Sequence, residues 1–240
     1  MTETTHEALV RQTNTAEELL TYFQGARDSI DQAVAQALVS IPEIYRLFHV
    51  DAAIGNDEAA GDLAAPLATF GEAIERTPRG GIVEVRLHGN YVIDKIIGLH
   101  GRQIFLLGDA DGTSILSPTH ENLLESTDFA PGFNFDGKAG FNSIRMQGLT
   151  ISLPAEASSI NVNRRGLVHA SNTGFVRLHE CDVLVPVGCN RSIYSPGGFD
   201  ILQVTSTTTP IEMPGHWLSN VAAGTDPATL PMLATNLTSL

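Results

Sequence analysis

Residues 144–154 read I-R-M-Q-G-L-T-I-S-L-P and residues 176–186 read V-R-L-H-E-C-D-V-L-V-P. In the first, apolar residues alternate at Ile144 and Met146, step by three to Leu149, and alternate again through Ile151 and Leu153. Val176, Leu178, Cys181, Val183 and Val185 repeat that pattern, step included. Alternation is the period of a strand with one buried face. The step of three reads as a corner where one strand gives way to the next. A third segment, 201–210, continues the series with a register ambiguous by one residue. Each segment follows a Gly-Phe pair, at 140/141, 174/175 and 198/199, spaced 34 and then 24. Recurrence at such intervals predicts stacked repeats whose inward residues lie over their counterparts, with Gly, Asn, Asp and Pro in the turns. Working outward, 91–97, 103–107 and 113–116 supply the earlier repeats. Residues 121–132 break the strand period and read as a long excursion, the kind of loop on which binding residues sit.

The first fifty residues follow a different period. Thr4-Thr5-His6-Glu7 and Thr15-Ala16-Glu17-Glu18 both fit a capping box, in which a hydroxyl and a carboxylate satisfy orphan amides. After Thr15 the apolar residues fall at Ala16, Leu19, Phe23, Ala26, Ile30, Ala33 and Ala37. Steps alternating between three and four make a coiled-coil seam. Leu20 and Val34 widen the stripe, while Glu17, Gln24, Asp28, Asp31 and Gln32 face water. The helix is expected to span roughly 26 residues, about 39 Å, and to stop at Pro42. Nothing nearby in sequence covers the stripe, so it is expected to pack against copies of itself.

Between these regions lie V-D-x-x-x-G-N-D from Val50, P-x-A-T-F-x-x-A-I from Pro66, P-x-G-G-x-V-x-V from Pro78, and Gly89-Asn90-Tyr91. This succession resembles the N-terminal capping segment of phage tail-fibre and tailspike β-helices, and of the broader pectate-lyase-like superfamily. The resemblance covers about forty residues and implies a short helix closing one end of a right-handed parallel β-helix. The expected fold class is therefore mainly β: a short right-handed parallel β-helix preceded by a coiled-coil-like α-helix. Four regions are expected: an oligomerisation and virion-docking helix (1–49), a capping loop and short helix (50–81), the β-helix (82–212) and a C-terminal tail (213–240). The resemblance implies a virion location and a homotrimeric fibre or spike. Its partners would be other virion proteins, met through the helix and the tail, and a host-surface glycan. About four to six repeats fit in the remaining length, far fewer than the enzymatic members carry, so a non-catalytic role is expected. A further alternative is a cell-encoded carbohydrate-binding β-helix, a monomer whose N-terminal helix packs back on its own β-domain.

Composition narrows the function classes further. The formal charge of −13 repels a polyanion, so no nucleic-acid partner is expected. The N-terminus lacks a signal-peptide pattern and no apolar run reaches membrane-spanning length, so synthesis in the host cytoplasm without membrane insertion is expected. Cys181 and Cys189 have no metal-ligand spacing and read as reduced core thiols. Trp217, among Pro210, Ile211, Met213 and Pro214, reads as a packing anchor.

If the chain were a glycan depolymerase, its acid and base would come from paired carboxylates. Glu180 and Asp182 project in one direction from a regular strand, with Arg177 and His179 beside them, and form the alternative catalytic pair. The other acids, Asp94, Asp109, Asp111, Asp128, Asp136 and Asp200, read as turn or solvated charges. The Asp57/Asp62 loop lacks calcium-loop spacing. His169 and His179 flank a turn, but a metal site there has no third ligand. No cofactor or metal is expected, since phosphate-cradling and nucleophile-elbow motifs are absent from the sequence.

Overall fold

The computed structural model describes residues 4–40, 44–109, 112–119, 130–136, 142–155 and 166–240, with the side chains of its N-terminal helix described over 13–34. The chain divides into two compact units, Met1–Pro42 and Glu43–Leu240. It is mainly β, with parallel sheets and one N-terminal helix.

The first unit is α1 (Thr5–Ser40), a single helix of 36 residues and so about 54 Å long. It starts at the first of the two capping boxes. Thr15 lies inside the helix, because 5–14 contains no Gly or Pro and continues the helix without penalty. Of the expected seam, Leu19 is 52% exposed, Phe23 64% and Ile30 62%. Ala16 and Ala33 are also exposed and Ala26 is half-buried, whereas the side chain of Ala37 lies outside the described residues. Thr21 Oγ1 donates to the Glu17 carbonyl (2.9 Å), and Arg27 faces Asp31 one turn on (3.7 Å).

The second unit starts with β1 (Tyr45–Asp51), a strand within the stretch assigned to the N-terminal helix region, so the boundary falls at Pro42/Glu43 and not at 49/50. After α2 (Phe70–Glu75) the chain makes repeated circuits. These run through β2 (Ile82–His88), β3 (Asn90–Ile93) and β4 (Ile96–Gly98), then β5 (Gln103–Leu107), β6 (Ile115–Pro118) and β7 (Gly132–Phe135). There follow β8 (Asn142–Gln147), β9 (Thr150–Ser152) and β10 (Gly166–Ala170), then β11 (Gly174–His179), β12 (Asp182–Leu184) and β13 (Ser192–Ser195). The last strands are β14 (Asp200–Thr205) and β15 (Leu233–Thr235). Each circuit visits three sheets in constant order. The first sheet runs β1-β2-β5-β8-β11-β14-β15, the second β12-β9-β6-β3 and the third β13-β10-β7-β4. Every pairing is parallel.

The core lies between the sheets, as ladders of like residues. Val83, Ile104, Ile144, Val176 and Leu202 align in the first sheet, as do Tyr91, Leu116, Ile151 and Val183 in the second. In the third, Ile97, Phe133, Val168 and Tyr194 align. All are buried, each contributing about 1.5–3 kcal/mol. The inward alternation of the two repeats is thus realised in register, Val176 over Ile144 and Leu178 over Met146. The Gly-Phe pairs do not align, because Phe175 stands opposite Ser143 and Ile201 and not Phe141 and Phe199. Register follows the buried aliphatic side chains, and turns of unequal length displace the glycines. Leu202 resolves the ambiguous third segment by pairing with Val176. The expected 91–97 strand divides at Asp94-Lys95 into β3 and β4, which lie in different sheets.

The 55–67 loop caps part of the β1 edge of the first sheet, and the C-terminal segment adds to its other end. Along β1, His49 N donates to the Gly61 carbonyl (2.8 Å) and Asp51 N to that of Leu67 (2.9 Å). Gly55 is required there, since a Cβ would stand 2.2 Å from the Leu67 carbonyl oxygen. Asp57 accepts from the amides of Ala68 and Thr69 (both 2.9 Å) and from Thr69 Oγ1 (2.8 Å), and Thr69 caps α2. Phe70, Ala73 and Ile74 of α2 are buried, with the Phe70 ring tilted against Tyr91 (centroids 4.2 Å apart) and edge-to-face with Phe133 (5.8 Å). At the other edge, 206–240 folds back on its own chain. Thr208 and Leu218 bridge to Asp182 and Tyr194, β15 pairs with β14, and Met213, Trp217, Leu218 and Leu240 are buried.

Candidate functional site

The corner between the first and second sheets explains the step of three. After β8, β11 and β14, one residue takes left-handed backbone: Gly148 (φ 65°), Glu180 (φ 52°) and Ser206 (φ 52°). That turn carries the chain across while the apolar residues on both sides still point inward, as Met146 and Leu149 do. A groove of about 470 Å³ runs along this corner, lined among others by Arg86, Asp109, Gln147, Glu180 and Asp182. The two expected acids therefore share one groove, and Asp109 joins them from an earlier circuit.

Glu180 accepts from Gln147 Nε2 (3.2 Å), lies 3.6 Å from His179 Nε2, and its side chain is 58% exposed. Asp182 is exposed as well. Both carboxylates are open to solvent and not enclosed by apolar side chains. Left-handed backbone at Glu180 carries strain of about 1 kcal/mol that glycine would release. Glu180→Gly is accordingly expected to leave stability unchanged or raise it by up to about 1 kcal/mol, against the entropy cost of glycine. Glu180→Val, β-branched at the same φ, is expected to lower it by about 1 kcal/mol or more. Thermal melts of the two variants check the ordering.

Above the groove stands a relay that strand periodicity does not reveal. Asp109 Oδ1 lies 2.8 Å from His88 Nδ1, and His88 Nε2 lies 2.7 Å from His49 Nδ1. Burial, then His88 and Arg86, push the pKa of His49 below its ordinary value, while Asp62 and Asp109 act the other way. A depressed histidine contributes stability that is present above the unfolded pKa of about 6.5 and is lost as pH falls through the folded value. Melts between pH 7.5 and 5 are expected to show acid loss in the native chain and a flatter profile in His49→Gln. Finding this relay requires the pairing of β1 on β2, and β1 itself carries no strand signal strong enough to be read.

Several of the remaining expected residues have local partners. Asp136 holds His100, whose Nε2 is 3.7 Å from Glu75. Asp94 is exposed in its turn, and Asp111 and Asp128 lie outside the described residues, as does most of the 121–132 excursion. Asp57 and Asp62 are engaged by backbone amides. Asp200, read as a solvated charge, is fully buried, since three amides and a tyrosine converge on it. His169 and His179 are not brought together. His169 is buried in the third sheet against the Ala130 carbonyl (2.8 Å), and His179 meets Thr205 (2.8 Å) in the first. Among the described residues, no three His, Cys, Asp or Glu side chains converge as a metal-binding group. Cys181 and Cys189 are free thiols, both pushed up in pKa by burial. Trp217 is 6% exposed in the core. No described helix is long and apolar enough to cross a membrane.

Arg145 and Arg177 were the less obvious signal. They occupy the same place in the two repeats, I-R-M-Q and V-R-L-H, and the structure sets them side by side on the outer face of the first sheet. The chain matches no family model, no curated protein and no solved structure.

Proposed function

We propose that this chain is a structural fibre or spike protein of a bacteriophage virion, a non-catalytic homotrimer acting in assembly and in attachment to a host-surface glycan. In this reading the three-sheet circuits form a short right-handed parallel β-helix that projects from the particle. α1 joins three chains and docks on other virion proteins. The observation that carries the reading is the open seam of α1. Leu19, Phe23 and Ile30 lie along one 3.5-residue stripe that no described residue of the helix's own unit covers, and packing three such helices together would bury it. The apolar flank at Leu20 and Val34 makes the stripe broader than a two-stranded seam needs. The partly capped β1 edge and the resemblance of 50–91 to fibre capping segments support the same assignment.

Light scattering at two protein concentrations tests it. The expected mass is three times the 25.7 kDa chain, and Ile30→Asp, which puts a charge in the seam, is expected to reduce it to one chain. A native monomer at both concentrations would overturn the trimer. The second reading, a polysaccharide-degrading spike, rests on Glu180 and Asp182 sharing the groove. It requires glycan cleavage by the native chain that disappears in Glu180→Gln.

A further inference from the structure

We propose that Arg145 and Arg177 form an anion-binding site on the outer face of the first sheet that takes the carboxylates of an acidic polysaccharide; the glycan part of the proposed function is the reading on which this rests. The two residues are opposite each other in the β8/β11 pairing, so their backbones are about 4.8 Å apart. Like charges directly opposite on one sheet face repel. Among the described residues, neither guanidinium forms an ion pair, and the Nε atoms of both are buried without a hydrogen-bond partner. Arg145 donates a hydrogen bond to Gln147 Oε1 (2.6 Å). The nearest outward acids are engaged elsewhere: Glu84 with Tyr45 and Arg86, and Glu180 with Gln147 and His179. On a chain of net charge −13, two adjoining uncompensated guanidinia are an island of the opposite sign.

The surroundings match a sugar acid. In register, the outward column of this sheet reads Phe105, Arg145, Arg177, Gln203 over successive circuits, with Phe175 two residues before Arg177 on the same face. The aromatic rings offer flat apolar surface to the C–H face of a pyranose. The glutamine offers amide hydrogen bonds, and the paired guanidinia give the planar forks that fit carboxylates. A bound carboxylate between the two forks removes their mutual repulsion, so ligand and sheet stabilise each other.

Isothermal titration of the full chain with oligogalacturonate tests the site, with its methyl ester as the uncharged control. Binding is expected to weaken as salt rises, and the ester is expected to bind about tenfold more weakly or worse. Arg145→Gln and Arg177→Gln are each expected to lose about tenfold or more in affinity, while their melting temperatures stay level or rise as the repulsion is relieved. No binding of oligogalacturonate, equal binding of the ester, or undiminished binding by both variants would overturn the site. A variant that loses mass in light scattering would assign the arginines to contacts between subunits and also overturn it. A native monomer that binds oligogalacturonate through the arginines leaves the site standing and removes only the trimer.

Discussion

Asp200→Ala is expected to lower the unfolding free energy by about 3–5 kcal/mol, the largest effect of any single substitution considered for this chain. The side chain is 0% exposed at the start of β14. Its Oδ1 accepts from Gly174 N (3.0 Å) and from the Tyr194 hydroxyl, and its Oδ2 accepts from Gly197 N (3.0 Å) and Gly198 N (3.1 Å). One carboxylate thereby ties together β11, β13 and the turn that leads into β14. Burial first, and then the Asp200 hydrogen bond, raise the Tyr194 pKa, so the phenol remains a donor across the accessible pH range. Alanine would leave three amides and a hydroxyl without their acceptor in a water-excluded site. Asp200→Asn keeps one acceptor oxygen and is expected to cost less. Urea unfolding at pH 7 measures both; a midpoint for Asp200→Ala equal to the native one would show that the carboxylate holds nothing.

The second large effect belongs to Arg191. This guanidinium is 2% exposed and donates to three carbonyls, Thr119 (3.0 Å), Pro131 (2.6 Å) and Gly166 (3.2 Å). Those groups lie after β6, before β7 and at the start of β10, so the side chain ties earlier circuits to its own. Burial pulls its pKa down to about 10, which still leaves it charged at neutral pH. Arg191→Met keeps much of the volume and removes the donors, and it is expected to destabilise by about 2–4 kcal/mol. Arg191→Lys cannot reach three divergent carbonyls with one compact ammonium and is expected to recover only part of the loss. A methionine variant as stable as the native chain in urea would mean that the carbonyls find other donors.

These two residues mark the boundary of what could be read in advance. Asp200 follows a Gly-Gly turn, where a solvated charge is the ordinary reading, and Arg191 sits in a polar stretch between strands. Their burial depends on which turns stack over which. That is a property of the whole array of circuits and not of any local pattern. The relay of Asp109, His88 and His49 is similar: its members come from β1, β2 and the turn after β5, and no spacing in the chain announces them.

The sequence by itself determined the class of structure. The 144–154 and 176–186 repeats carry the inward residues of the first two sheets and the corner between them, because alternation and burial are coupled residue by residue along a strand. The helix was legible for the same reason, through a 3.5-residue period and a proline beyond its end. Glu180 and Asp182 were expected to project together from one regular strand; the left-handed turn at Glu180 breaks that strand between β11 and β12, and the two acids instead meet along the groove of the corner. Tertiary structure decided register, the division of 91–97 between two sheets, the strand at Tyr45–Asp51 and the place of the buried charges. Each of these depends on contacts between residues tens of positions apart, where the fit of aliphatic side chains across circuits outweighs local turn signals.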